Sequence, residues 1–193
     1  MGVKTINIIR KREGHEQVAE RLQKLGATFI LTDDQLGRLE TKELVKSWLA
    51  SSTSSLDSNS EKGSSSKIKL GFNCVGGKPA TEMARLLSAD GHLITYGAMS
   101  RQPLILPASL QIFKNVHASG FWLTAWNDRH SVQERQEMVD AVLEDMDRGH
   151  LKGIQSSKNL WSIQSSGSLQ DQLLEAVEKA TSSGLGKQVF VMK

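Results

Sequence analysis

The sequence predicts an α/β fold built on an open, parallel sheet. Three observations predict it. First, Lys67–Ser100 reads strand, glycine loop, helix, strand, and two short apolar strands joined by one crossover helix must lie parallel. Second, the same rhythm of short apolar run and amphipathic helix recurs on both sides of that stretch. Third, no run approaches the ~20 apolar residues of a membrane-spanning helix, and 38% hydrophobic with 23% charged residues in a 193-residue chain is ordinary for a packed domain.

The elements follow in order. Lys4–Arg10 alternates as a strand and runs into the basic triplet Arg10-Lys11-Arg12. A helix from His15 to about Lys24 shows Val18, Ala19, Leu22 and Leu25 as its inner face, and Gly26 ends it. Ala27–Thr32 is a strand, and Leu36–Ala50 is mostly helical. Residues 51–66 are serine-rich and nearly free of apolar side chains. They cannot bury enough surface to offset the entropy of ordering and read as a disordered insertion. Ile68, Leu70, Phe72 and Val75 then form a strand, Gly76-Gly77 breaks it, and Pro79 suits the first turn of the next helix. His92–Tyr96 is the following strand and Gly97-Ala98-Met99 its exit loop. Ala108–Lys114 makes a helical turn and Val116–Trp122 a strand. Ser131 with Glu134 forms a capping box; its helix shows Met138, Val139, Val142, Leu143 and Met146 and stops at Gly149. Leu160–Ile163 is a short strand, Leu169–Thr181 a helix, and Lys187–Met192 a last strand.

Through Gly149 this is the order of a doubly wound, Rossmann-type nucleotide-binding domain that is incomplete. It has no G-x-G-x-x-G phosphate loop, and its first strand carries the basic triplet expected after the second strand of such a fold. The strands Lys4–Arg10 and Ile68–Cys74 are then expected to lack a shared central neighbour. Each unsatisfied backbone group there costs ~1–3 kcal/mol, against a net stability of ~5–15 kcal/mol. The sequence therefore reads as a fragment or truncated product, unless the strands close up or another segment inserts. Ligands of such sheets bind outside the carboxyl ends of the strands, which draws attention to Val75–Lys78 and Gly97–Arg101.

Four islands carry a family resemblance: Thr5–Arg12, Asn73–Lys78, Thr95–Met99 and Gly120–Leu123. In this order and spacing the chain resembles the mitochondrial 2-enoyl thioester reductases, a branch of the medium-chain dehydrogenase/reductase superfamily. The resemblance implies a partial NADP-binding domain at 1–150, a return segment to the substrate domain at 151–193, and NADPH-dependent reduction of 2-enoyl thioesters in mitochondrial fatty acid synthesis. The thioester would be carried on acyl carrier protein or CoA. Alternatives are a quinone reductase of the same superfamily, or a non-catalytic nucleotide-binding and dimerisation module.

The resemblance also implies site residues, each weighed against a plainer role. Arg10, Lys11 and Arg12 would clamp the 2′-phosphate of NADPH, as guanidinium forks suit a dianion; otherwise they form a solvated loop. Tyr96, Gly97, Ala98 and Met99 would border the nicotinamide half, or form a strand exit with Tyr96 capping the core. Phe121, Trp122, Leu123 and Thr124 would meet the carboxamide through backbone groups; otherwise Phe121, Trp122 and Trp126 are core or dimer-contact aromatics, the role preferred for Trp126. Lys187 would approach the cofactor, or sit on the surface. No catalytic residue is expected in the chain, because the family's donor tyrosine belongs to the substrate domain. Cys74 is expected to be buried and inert, and the five histidines show no metal-ligand spacing. A homodimer through the edge strand 116–122 is expected. A net charge of +3 is too mild to argue for nucleic acid. Neither a signal-peptide core nor a transit-peptide composition opens the chain, so a mitochondrial location rests on the resemblance.

Overall fold

A computed structural model describes residues 3–51, 67–154, 156–161, 168–182 and 187–192. The expected disordered insertion lies almost wholly outside these residues; only Ser51 is described, as the last residue of a helix. The chain divides into two compact units, Met1–Trp126 and Asn127–Lys193.

The first unit runs β1 (Ile6–Ile9), α1 (His15–Lys24), β2 (Phe29–Thr32), α2 (Leu39–Ser51), β3 (Leu70–Asn73), α3 (Gly77–Leu86), β4 (His92–Thr95), α4 (Ala108–Lys114), β5 (His117–Gly120), and then α5 (Leu123–Arg129) begins. Every strand pair is parallel, as the crossover logic requires. Ile6 to Ile9 lie opposite Phe29 to Thr32. β4 sits between β3 and β5, so that Asn73, Thr95 and Gly120 end the three strands side by side. Among the described residues β1 and β3 pair with nothing on their other edges, and the sheet is in two pieces. The expectation that these two strands lack a shared neighbour holds.

Two clusters form the core. Ala84, Leu87, Leu93, Leu110 and Val116 close the space under the three-stranded sheet. Leu31, Leu36 and Val45 close the other, with Ile6, Ile8 and Phe29 against them. Ile68 packs against both, which ties the two sheets into one unit. Lys114 Nζ donates to the carbonyls of Arg85 and Leu87 at 2.9 Å each, ending α3 with a cation as helix termini favour. Burial there pulls the ammonium below its ordinary pKa.

The second unit holds α6 (Val132–Asp147), β6 (Ser156–Trp161), α7 (Leu169–Ser182) and β7 (Lys187–Met192). β6 and β7 pair in parallel from Ser156–Lys187 to Trp161–Met192 across the α7 crossover. The capping box forms: Glu134 N–H donates to Ser131 Oγ at 3.2 Å, and Ser131 N–H to Glu134 Oε2 at 2.8 Å.

Several expectations shift. The strand expected at Leu160–Ile163 is β6, pulled forward by its register with β7; residues 162–163 lie outside the described set. Val116–Trp122 contracts to β5, because a new helix, α5, takes over at Leu123. The inner faces expected on α1 and α6 have the right spacing but bury no residue fully: Val18 is 40% exposed and Leu143 55%.

Candidate functional site

Asn73 organises the carboxyl end of the three-stranded sheet. It is buried, with every polar atom of its side chain engaged. Its Oδ1 accepts from the N–H groups of Val75 and Gly76 at 3.0 Å each, and its Nδ2 donates to Thr95 Oγ1 at 3.1 Å. This folds the chain back over the strand end and into α3. Gly76 takes φ 80°, and a Cβ there would stand 2.8 Å from the Gln102 carbonyl, so only glycine fits.

The exit loop of β4 is bonded to that of β3. Met99 N–H donates to the Cys74 carbonyl at 3.0 Å, and Ser100 reaches the Val75 carbonyl with its N–H at 2.9 Å and its hydroxyl at 2.6 Å. Gly97 crosses Cys74 so closely that a Cβ would lie 3.2 Å from its carbonyl oxygen. The neighbouring Cys74 side chain, together with partial burial, raises the Tyr96 pKa. At 54% exposure Tyr96 does not cap the core. Cys74 is half-buried, not fully buried as expected, because its strand has an open edge.

The exit of β5 lies alongside: Phe121 N–H donates to the Thr95 carbonyl at 2.9 Å. Phe121, Trp122 and Leu123 are exposed, so Phe121 and Trp122 are not core aromatics. Tyr96–Met99 and Phe121–Thr124 are therefore brought together as an apolar and aromatic rim. Such a rim offers flat contact surface and free backbone groups to a planar ligand.

The basic triplet leaves β1 in the same unit. Its three residues are exposed but not equivalent. Lys11 N–H donates to Asp33 Oδ1 at 2.9 Å, and its ammonium meets Asp34 at 3.4 Å. Asp34 also accepts from Thr32 Oγ1 at 2.6 Å and from Arg38 at 2.9 Å. The hydroxyl bond, helped by Lys11 and Arg38, holds this carboxyl below the usual carboxylate range. Among the described residues neither the Arg10 nor the Arg12 guanidinium has a hydrogen bond or ion pair. Lys187 belongs to the second unit, where it opens β7 opposite Ser156. Among the described residues no cluster of three metal-ligating side chains occurs.

The sequence reading missed Asn73, Ser100 and Asp34 as positioning residues. Only Asn73 carried a local signal: asparagine is rare inside strands and frequent where a strand turns into a glycine loop.

No family model matches the chain. The mitochondrial enoyl-[acyl-carrier-protein] reductase of Schizosaccharomyces pombe is 34% identical over 191 residues, 98% of this chain and 46% of that protein. An NADPH quinone oxidoreductase of Kluyveromyces marxianus is 37% identical over 143 residues, 74% of this chain and 34% of that protein. Among solved structures, the Etr1p/NADP/crotonyl-CoA complex matches with a TM-score of 0.78 at 30% identity, covering 97% of this chain and 47% of that one. The Etr1p/Etr2p heterodimer of the Candida tropicalis mitochondrial 2-enoyl thioester reductase matches with a TM-score of 0.77 at 29% identity, over 96% of this chain and 47% of that one. The chain thus spans about half the length, or less, of the proteins it matches. Over the part it spans, the chain is similar in sequence and in fold to the mitochondrial 2-enoyl thioester reductases.

Proposed function

We propose that this chain carries the cofactor side of an NADPH-dependent reduction of trans-2-enoyl thioesters in mitochondrial fatty acid synthesis. The observation that carries the proposal is the pair of uncommitted guanidiniums at the end of β1, in a loop whose third cation, Lys11, is already held by Asp34. The residues fit the cofactor. Arg10 and Arg12 can offer forked donors to a 2′-phosphate dianion, and a carboxylate in their place would repel it. Lys11 positions the loop and adds charge. When bound, NADPH supplies the hydride for the β-carbon of the enoyl group. Tyr96–Met99 and Phe121–Thr124 would orient the nicotinamide and keep water from it, and Lys187 is assigned to the cofactor by the resemblance alone.

In this reading 1–150 is the partial NADP-binding domain and 151–193 the return segment to a substrate domain, which supplies the proton donor. These 193 residues alone turn over little thioester. The substrate is carried on acyl carrier protein or CoA, the location is mitochondrial as in the names of the relatives, and a homodimer forms along β5, the outer strand of its sheet.

The test is calorimetric titration of the whole chain with NADPH and with NADH. Binding of NADPH at least tenfold tighter than NADH, lost in the Arg10→Ala/Arg12→Ala double variant, supports the clamp. Equal affinity for the two nucleotides, or binding indifferent to the double substitution, overturns it. Hydride transfer from NADPH to a quinone but not to crotonyl-CoA, in a chain joined to a substrate domain, would assign the quinone reductase branch instead.

A further inference from the structure

Two histidines stand side by side at the amino ends of β4 and β5. His92 opens β4, His117 opens β5, and the two are register partners. Partners in register send their side chains to the same face of a sheet. Leu93, the next residue of β4, is wholly buried on the opposite face. The two imidazoles therefore meet: their centroids are 4.8 Å apart and their planes 16° from parallel. Both residues are exposed. Among the described residues neither ring has a hydrogen bond or an ion pair. His15 and His150 differ, since their Nδ1 atoms are engaged by the Arg12 carbonyl at 2.8 Å and by Asp145 at 3.4 Å. No local spacing announces the His92–His117 pair, because each histidine comes from its own strand.

We propose that His92 and His117 form a two-histidine site for a divalent transition-metal ion of the zinc, nickel and copper class. The inference does not depend on the catalytic reading above. Neutral imidazole is a ligand these ions favour, whereas magnesium and calcium take oxygen. Oxygen is not on offer here. The carboxylate that feels the charge of His117 is Asp90, and it already accepts from Asn115 Nδ2 at 3.0 Å and pairs with Lys69 at 3.8 Å. Bonds of ~2.0–2.1 Å to a tetrahedral zinc ion put two imidazole nitrogens ~3.3 Å apart. Rings with centroids 4.8 Å apart reach that separation by turning about their Cβ–Cγ bonds. The backbones are already fixed: His92 N–H donates to the Lys69 carbonyl at 2.8 Å, and His117 N–H to the Gly91 carbonyl at 2.9 Å. Binding therefore orders only two side chains, which keeps its entropic cost low. Two protein ligands leave the other positions of the ion to water. The bound ion ties β4 to β5 at the ends remote from the rim loops.

The test is calorimetric titration of the whole chain with zinc chloride, with magnesium chloride as the control. The expected result is saturable zinc binding that weakens at least tenfold in His92→Ala and in His117→Ala, with no binding of magnesium. Both side chains are exposed, so the truncations should leave the circular dichroism spectrum unchanged. Cys74→Ser and His150→Ala should keep the affinity of the unaltered chain. A second measurement needs no variant: in proton NMR the ring signals of His92 and His117 should shift together as zinc is added, while those of His15 stay. No zinc binding by the unaltered chain, an affinity indifferent to either alanine substitution, an equal loss in Cys74→Ser, or a shift of only one of the two rings would overturn the proposal.

Discussion

The two sheets of the first unit use similar strands, yet they bury them differently. β4, His92–Thr95, has a neighbour on each edge and places Leu93 wholly out of water. β1 is more hydrophobic, Ile-Asn-Ile-Ile, yet all four residues stay at intermediate burial, and β3 leaves Leu70 and Phe72 in solvent. The difference teaches that burial here follows the number of paired edges more than the hydrophobicity of the strand. A residue beside an open edge loses both lateral contacts and the layer that a neighbouring strand would support.

The sharpest way to break the comparison is to truncate a residue on each side of it. Leu93→Ala should cost about 2–5 kcal/mol in chemical denaturation, through lost burial and a cavity under β4. Ile8→Ala, beside the open edge, should cost less than about 2 kcal/mol. Equal losses would mean that β1 is as well covered as β4. Next in size is Asn73→Ala, at about 1–3 kcal/mol, because it leaves the partly buried N–H of Val75 and the buried N–H of Gly76 without their acceptor. Faster amide exchange at those two residues should accompany it.

α6 extends the lesson to the second unit. Its apolar stripe is exposed, so its start depends on the local cap rather than on burial. Ser131→Ala should cost about 1 kcal/mol, read from the helical circular dichroism signal on heating. The hydrogen bonds from Ser131 lower the Glu134 pKa in the folded chain. Their stabilisation is therefore complete above the unfolded value of about 4.3 and lost as pH falls through the lower folded value. Glu134→Gln should remove that acid dependence. The smallest effect is expected at Phe72. Phe72→Ser should change stability within about ±0.5 kcal/mol, because the ring is mostly in water already. A loss several times larger would show that something covers β3.

Much of this was legible in the residues. His15–Lys24, Ala108–Lys114 and Lys187–Met192 match their expected bounds, and the box at Ser131 and Glu134 forms as read. The parallel pairing of β3 with β4 followed from the helix between them. At the candidate site, the rim loops after β4 and β5 and the basic loop after β1 stand at strand ends, as expected. Their internal economy was not legible. Nothing local distinguishes Lys11 from its arginine neighbours; Asp34, twenty-three residues away, makes the distinction across the β1–β2 pair.

By itself the sequence determined most of the helices, the capping box at Ser131, the parallel sense of the strands and the family resemblance. These depend on residues within a few positions of one another, or on one crossover, where hydrogen-bonding patterns and side-chain periodicity act directly. Only the tertiary structure decided which strand edges stay open, that Phe72 and the α6 stripe meet solvent, that Tyr96 stands beside Cys74, and that two guanidiniums rather than three cations remain uncommitted. Each of these depends on what the chain brings alongside from a distance, and lateral pairing and charge neutralisation are set by that neighbour, not by the residue itself.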